Sequence, residues 1–213
     1  MTGRHKAPFG LAFGCAGHHH DGSAEQWTHL DDPGRDEWQR PDVVVAATSL
    51  TNGHVVADVG AGTGYFEAHL SRVVGASGKV LALDVNPNLV LHMQQRCHGA
   101  GLNNVEARVS QHDDPGLAPG SVDRVLIVDL WHHLLDRVAY GRKLRAALRH
   151  EGRLLVVDRG ADSAHAPPAE MRISVEAVIG ELEAAGFAAR GLPRALPRQF
   201  MVEGAVRPAT PQA

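Results

Sequence analysis

The stretch that decides the fold is Val55-Val-Ala-Asp58-Val-Gly60-Ala-Gly62-Thr-Gly64-Tyr65-Phe66. An apolar, β-branched run ends in three glycines at alternate positions, and an amphipathic pattern begins directly after them. This order predicts a strand, a tight turn and a helix, at a place where the backbone approaches a ligand too closely for a Cβ atom. With 23 glycines in 213 residues, such a triplet arises by chance in about one chain in four of this composition. The residues around the turn must therefore supply the specificity.

Two neighbours of the turn discriminate between nucleotides. Tyr65 stands where the dinucleotide fingerprint G-x-G-x-x-G would need a glycine, which disfavours NAD, although an NAD-dependent enzyme stays as an alternative. Asp58 places a carboxylate beneath the turn, where it favours an ammonium group and disfavours a pyrophosphate. The pattern therefore favours the amino-acid end of S-adenosylmethionine.

Polar residues also end the next two predicted strands. Asp84 comes twenty residues after Gly64, a spacing at which a strand-end carboxylate accepts hydrogen bonds from ribose hydroxyls. Alternatively, Asp84 or Asn86 caps the helix that begins at Pro87. Asp113 and Asp114 follow the third strand and could hold an adenine amino group, although Asp-Asp-Pro is also an ordinary turn.

The apolar periodicity predicts alternating strands and helices from residue 55 onwards. Near-continuous apolar strands separated by helices are typical of a parallel sheet covered on both faces, and the last two strands suggest an antiparallel edge. Two short helices precede this region, one beginning at Pro33 after Asp32 and one running from Pro41 to Leu50. The predicted strands are 55–59, 79–84, 105–109, 122–129, 152–158, 187–190 and 199–203, and the predicted helices are 64–74, 87–100, 136–149 and 174–185.

Together these motifs resemble the successive motifs of class I S-adenosylmethionine-dependent methyltransferases, over roughly residues 42–203. The segment Ser121-Val-Asp123-Arg-Val-Leu-Ile-Val-Asp129 completes the set. The resemblance implies an α/β fold, a Rossmann-like doubly wound sheet of seven strands in the order 3-2-1-4-5-7-6, mostly parallel with an antiparallel edge strand. It also implies how the cofactor S-adenosyl-L-methionine is held: the methionine part by Asp58, Gly60, Ala61, Gly62 and Gly64, the ribose by Asp84, the adenine by Val85, Asp113 and Asp114, and the methionine amino group near Asp129.

His132 and His133 follow the carboxyl end of the fourth strand, in Asp129-Leu-Trp-His-His-Leu134. A methyl transfer needs an aligned nucleophile and in some cases a base, and a histidine at this position could serve. The alternative is structural, with one histidine capping the next helix and the other packed in the core. Both histidines are therefore candidate catalytic residues.

Three further residues are candidate substrate contacts. Arg35 and Trp38 lie in the leading helices, which resemble a lid over the cofactor, and Arg172 follows the fifth strand. Arg35 could pair with an anionic substrate or a carboxylate. Alternatively, Arg35 belongs to a charged helix surface, and Trp38 anchors its helix.

The amino-acid composition limits which classes of molecule the protein can bind. A net charge of −3 and 5% aromatic residues disfavour a nucleic-acid substrate, which leaves a small-molecule methyl acceptor. No apolar run reaches the ~18 residues of a membrane span. The two cysteines and His18-His-His20 form no metal-ligand pattern, so we expect no metal.

The same features suggest a location and a domain plan. We expect a cytoplasmic protein; the alternative is export through a degenerate N-terminal signal around Cys15. The expected plan is a flexible tail over 1–26, a helical lid over 27–50, the cofactor-binding methyltransferase domain over 51–203 and a flexible end over 204–213. The expected function is methyl transfer to a small molecule; the alternative is a non-catalytic cofactor-binding or scaffold domain.

Overall fold

The structure, a computed structural model, describes Trp27 and residues 30–160, 172–193 and 195–206. The predicted tail over 1–26, with Cys15 and the histidine triplet, lies outside the described residues. The elements in chain order are α1 Arg35–Gln39, α2 Pro41–Ala47, β1 Val55–Val59, α3 Glu67–Val74, β2 Lys79–Asp84, α4 Pro87–Gly99, β3 Val105–Val109, β4 Val122–Val128, α5 Arg137–Ala147, β5 Leu148–Arg159, α6 Val175–Ala184, β6 Phe187–Gly191 and β7 Gln199–Val206.

The strands form one sheet in the order β3-β2-β1-β4-β5-β7-β6, which confirms the predicted topology. The first five strands pair in parallel, and β7 pairs antiparallel with both β5 and β6. The order reverses between β1 and β4. In open parallel sheets a ligand binds at the carboxyl ends of the strands beside such a reversal. The fold therefore brings the ends of β1, β2, β4 and β5 to one edge.

Helices cover both faces of the sheet, as the apolar strands require. On one face Trp131 and Phe187 pack with the buried residues of α5 and α6, and Trp131 Nε1 donates to Glu181 Oε2 at 2.8 Å. On the other face Val44 and Leu70 pack from α2 and α3. No helix among the described residues is long and apolar enough to cross a membrane.

Several predicted boundaries were wrong by a few residues. Helix α1 begins at Arg35 and not at Pro33, because Asp32 Oδ1 accepts a hydrogen bond from the Gly34 amide at 3.0 Å and closes a turn there. Helix α3 begins at Glu67 and not at residue 64, since Gly64 has a φ of 82° and cannot continue a right-handed helix.

Other predicted ends of helices and strands also differ from the observed ends. Helix α2 ends at Ala47, three residues before Leu50, and β5 begins at Leu148, where α5 stops. Strand β7 continues to Val206, so three residues of the expected flexible end belong to the sheet. These shifts leave the predicted strand ends at the candidate site within one residue of their observed positions.

Candidate active site

The glycine turn between β1 and α3 has the backbone that the sequence predicts. Gly60, Gly62 and Gly64 have φ values of 79°, 60° and 82°, a left-handed region that residues with a Cβ rarely adopt. A Cβ on Gly60 would lie 2.8 Å from Leu130 Cδ2. The Gly60 amide also donates to the Leu83 carbonyl at 2.8 Å, which fixes the turn against the end of β2. Glycine is therefore required here by both conformation and space.

Asp84 lies at the end of β2 with its side chain aimed at this turn. Its Oδ2 accepts a hydrogen bond from the Gly62 amide at 3.0 Å, and its Oδ1 accepts one from the Asn86 amide at 2.9 Å. Burial raises the pKa of Asp84 above its ordinary value. The N-cap of α4 is Asn86, whose side chain accepts from the Asn88 amide. Of the two residues that the alternative interpretation proposed as the helix cap, Asn86 is the cap and Asp84 is not.

Two adjoining cavities open at this edge of the sheet, with volumes of about 420 and 370 Å³. Their walls share Gly60, Asp84, Leu130 and His133. The remaining residues of interest divide between them. The first cavity is lined by Arg35, Trp38, Ala61, Gly62, Asp129, His132 and Arg159; the second is lined by Val85, Ser110, His112, Asp113, Tyr140 and Lys143.

Of the acids after β3, Asp113 is on a cavity wall and Asp114 is in a turn. Asp114 Oδ1 accepts a hydrogen bond from the Gly116 amide at 2.8 Å, and its carboxylate lies 3.2 Å from Lys143 Nζ. That pattern is the ordinary turn of the alternative interpretation. Asp113 lines the second cavity, with a side chain that is 84% exposed.

Asp129 closes the first cavity at the end of β4. Its φ of 52° is unusual for a residue with a side chain. Gln199 Nε2 donates to Asp129 Oδ1 at 2.8 Å, and Arg159 Nη2 lies 3.2 Å from Asp129 Oδ2. The carboxylate is therefore held by partners from β5 and β7 at the cavity wall.

His132 lies in a single turn of 3-10 helix, Trp131–His133, directly above the end of β5. Its Nδ1 is 2.7 Å from Asp158 Oδ1, and its backbone amide donates to Asp158 Oδ2 at 3.1 Å. The Asp158 side chain is fully buried and that of His132 is 6% exposed. A buried carboxylate that accepts from Nδ1 fixes the ring orientation and leaves Nε2 unprotonated in the neutral imidazole.

His133 packs against His132, with ring centroids 4.0 Å apart. Burial, and then the neighbouring His132, lower the pKa of His133. Neither histidine caps α5, because the Asp136 side chain accepts from the Ala139 amide at 2.9 Å. Both histidines line the first cavity, and His133 lines the second as well.

Arg35 and Trp38 also lie on the wall of the first cavity. The Arg35 guanidinium lies 3.9 Å from the centroid of the Tyr65 ring, and its Nε donates to Gln39 Oε1 at 3.1 Å. Arg35 is therefore folded against the glycine turn and not spread over a solvated helix surface. Arg172 is exposed and is not part of either cavity wall among the described residues.

Asp158, Arg159 and Gln199 are site residues that the sequence analysis missed. Asp158 carried a detectable signal, since it ends an apolar strand as Asp84 does. Gln199 carried none, because it is brought to Asp129 only by the antiparallel return of β7. Among the described residues no group of three or more His, Cys, Asp and Glu side chains is placed to hold a metal ion.

Comparison with known proteins identifies the fold and the cofactor. A family model described as a methyltransferase domain matches residues 56–152. A solved S-adenosylmethionine-dependent methyltransferase from Aquifex aeolicus superposes with a TM-score of 0.81 at 28% identity, over 88% of this chain and 100% of that one.

Curated relatives match a shorter region. The chain is 27% identical over 122 residues to the ubiquinone/menaquinone biosynthesis C-methyltransferase UbiE of Pseudoalteromonas translucida, and 31% identical over 123 residues to that of Hahella chejuensis. Each match covers 57% of this chain and 48% of the relative, so the chain spans about half the length of these relatives. With its seven-stranded sheet, the glycine turn and these matches, the chain has the fold of the class I S-adenosylmethionine-dependent methyltransferases and carries a methyltransferase domain over residues 56–152.

Proposed function

We propose that the protein transfers the methyl group of S-adenosylmethionine to a small-molecule acceptor, with His132 as the general base. The observation that carries this proposal is that the buried His132–Asp158 pair lies on the wall of the cavity that the glycine turn and Asp84 also line. Groups suited to binding the cofactor and a group suited to accepting a proton thus line the same cavity, which supports the proposal.

The cleft suits the cofactor in shape and charge. Asp84 stands where the two cavities meet, which is the place for the ribose between a methionine end and an adenine end. Asp58 and Asp129 supply negative charge near the first cavity, where the ammonium and sulfonium groups would lie. The backbone of Gly60, Ala61, Gly62 and Gly64 would border the methionine part.

The adenine would enter the second cavity. Val85 and Tyr140 offer apolar surface there, and Asp113 could accept a hydrogen bond from the exocyclic amino group. Asp114 fits this adenine contact less well than Asp113, because its carboxylate already accepts a hydrogen bond from the Gly116 amide.

The bound cofactor supplies an electrophilic methyl group on a sulfonium, and the protein must orient the acceptor and remove its proton. His132 can accept a proton at Nε2, because Nδ1 donates to Asp158. The Asp158 carboxylate then stabilises the imidazolium that forms. His133, with its pKa lowered, stays neutral and provides a flat wall next to the reacting groups.

The acceptor would lie against Arg35, Trp38 and Arg159 on the remaining wall of the first cavity. Two guanidinium groups and an indole suit a planar organic molecule that carries oxygen atoms. A small organic acceptor also agrees with the curated relatives, which are named as C-methyltransferases of quinone biosynthesis. Arg172, which lies outside both cavity walls, stays a predicted substrate contact. From the composition we expect a cytoplasmic location and no nucleic-acid substrate.

Mass spectrometry of a metabolite extract tests the proposal. The extract is incubated with S-adenosylmethionine that carries an isotopically labelled methyl group, with wild-type protein or with His132→Gln. We expect at least one labelled product that forms with the wild type and is reduced at least tenfold with the variant. Absence of any labelled small molecule would reject the proposed activity, and equal product from both proteins would reject His132 as the base.

A further inference from the structure

Two acidic side chains are buried together beneath the glycine turn. Asp58, in β1, is 2% exposed, and Glu67, the first residue of α3, is fully buried. A Cβ built on Gly64 would lie 3.2 Å from Glu67 Oε2, so the Glu67 carboxyl lies directly against the turn. The sequence motifs assign no role to Glu67.

Within the described part of the chain, the Glu67 carboxyl has no hydrogen-bond donor. Neither of its oxygens accepts a hydrogen bond from any group in the part of the chain that is described, and its own backbone amide lies nearby without reaching hydrogen-bond geometry. An ionised carboxylate without donors is very unfavourable in a protein interior. The side chain within hydrogen-bonding range is Asp58, whose carboxylate can only accept. A hydrogen bond between the two side chains therefore requires a proton on one of them.

The charged groups near Asp58 and Glu67 do not neutralise the charge that both carboxyls would carry if both were ionised. Arg96 faces Glu67, but its Nη1 is bonded to Asp31 Oδ1 at 2.9 Å and to the Thr63 carbonyl at 3.2 Å. Cys97 also faces Glu67, and its buried thiol is neutral because burial raises its pKa.

On the other side, Arg35 and Asp84 face Asp58. The Arg35 guanidinium is bonded to Gln39 and to the Leu30 carbonyl, and Asp84 adds a further negative charge. Like charges this close disfavour double ionisation of the pair.

The surroundings favour the proton on Glu67. The Glu67 side chain is fully buried, and neither of its oxygens accepts a hydrogen bond from the described residues, whereas the Arg35 guanidinium faces Asp58 and favours its ionised form. Burial raises the pKa of both carboxyls.

We propose that Glu67 is a positioning residue, kept as a neutral carboxylic acid, that donates a hydrogen bond to Asp58 and holds the Asp58 carboxylate beneath the glycine turn as the counter-charge for the cofactor's ammonium group. The effect on cofactor binding rests on the proposed function, whereas the protonation of Glu67 does not. A glutamine at position 67 could still donate to Asp58, but a methionine could not.

Infrared spectroscopy tests the protonation on the protein without ligand. At pH 8 ordinary carboxyls are ionised, so a carbonyl stretch of a protonated acid that shifts in D₂O would come from a buried neutral acid. We expect this band in the wild type and in the matched control Glu37→Gln, which alters an exposed residue on α1, and its loss in Glu67→Gln. A wild-type spectrum without the band, or a band that persists in Glu67→Gln, would overturn the assignment.

Calorimetric titration with S-adenosylhomocysteine tests the positioning. We expect the dissociation constant of Glu67→Gln to stay within about threefold of the wild type, and that of Glu67→Met to rise at least tenfold with unchanged circular dichroism. Equal weakening by both variants would overturn the donor role. A wild type that binds no S-adenosylhomocysteine would reject the proposed function, while the infrared result on Glu67 would stand.

Discussion

The Asp158 carboxylate, at the end of β5, accepts from both the Nδ1 and the backbone amide of His132, at 2.7 and 3.1 Å. The two hydrogen bonds join the end of one strand to the turn that follows its neighbour, so the imidazole is held by the sheet itself. Asp158 is completely buried and can therefore fix the ring without competition from water.

This pair leads to a prediction for Asp158→Asn. An asparagine can offer an N–H to Nδ1, which would place the imidazole proton on Nε2 and remove the base. Because a positioned base contributes roughly 10²–10⁴-fold, we expect kcat to fall about 100-fold or more, with KM for S-adenosylmethionine within threefold. Steady-state kinetics with the acceptor identified by labelling would measure this. The double variant with His132→Gln should be no slower than the worse single variant, and a fully active Asp158→Asn protein would contradict the role.

Asp84 should control cofactor affinity. In Asp84→Asn the charge that would accept from the ribose hydroxyls is lost, and a hydrogen bond to a charged group contributes roughly 1.5–3 kcal/mol. We therefore expect the dissociation constant for S-adenosylhomocysteine to rise about 10- to 100-fold, measured by calorimetry. Asp114→Asn is the matched control, since the Asp114 carboxylate accepts from the Gly116 amide in its turn, and it should change the affinity less than threefold. Comparable losses in both variants would contradict the placement of the ribose.

Replacing glycine by alanine should have opposite effects on stability at Gly60, in the glycine turn, and at Gly180, in α6. Gly60→Ala places a Cβ 2.8 Å from Leu130 Cδ2 at a φ of 79°, and we expect a loss of about 1–3 kcal/mol in the free energy of unfolding. Gly180 lies inside α6, and among the described residues no atom outside the backbone of its own helix lies within 4 Å of a built Cβ, so Gly180→Ala should gain about 0.5–1 kcal/mol in the free energy of unfolding. Urea denaturation measures both. A Gly60→Ala protein as stable as the wild type would show that the turn tolerates a side chain.

Glu67→Gln should change how stability depends on pH. The folded-state pKa of Glu67 is raised by burial, so above the unfolded pKa the native state binds more protons than the unfolded state, and wild-type stability falls as pH rises. This contribution is fully present below about pH 4 and is lost as the pH rises towards the folded pKa. Glu67→Gln removes the titration and should become more stable relative to the wild type by up to ~1.4 kcal/mol per pH unit.

Thermal unfolding of both proteins at pH 5, 6.5 and 8 measures that difference, with Glu37→Gln as the control for loss of an exposed charge. The gap between Glu67→Gln and the wild type should widen towards pH 8. A constant gap would mean that Glu67 has the same pKa in the folded and unfolded states.

The sequence was sufficient for most of the fold because its signals are local. A β-branched run such as Val55–Val59 and the proline at Pro87 mark a strand and a helix start by their own chemistry, and both lie where predicted. The helix start at Pro33 was wrong because a side-chain hydrogen bond, Asp32 to the Gly34 amide, competes with the helix.

Site residues that depend on distant strands could not be predicted in the same way. Gln199 reaches Asp129 from 70 positions away, and no spacing rule contains that pairing. The sequence also could not show which of Asp113 and Asp114 contacts the adenine and which forms a turn. The same Asp-Asp-Pro pattern is found in turns and on cavity walls.

Isothermal titration of the wild-type protein with S-adenosylhomocysteine would show whether the ends of β1, β2 and β4 form one cofactor cleft. We expect saturable binding at one site per chain, weakened at least tenfold by Asp84→Asn. No binding up to millimolar concentration, or binding that Asp84→Asn leaves unchanged, would contradict it.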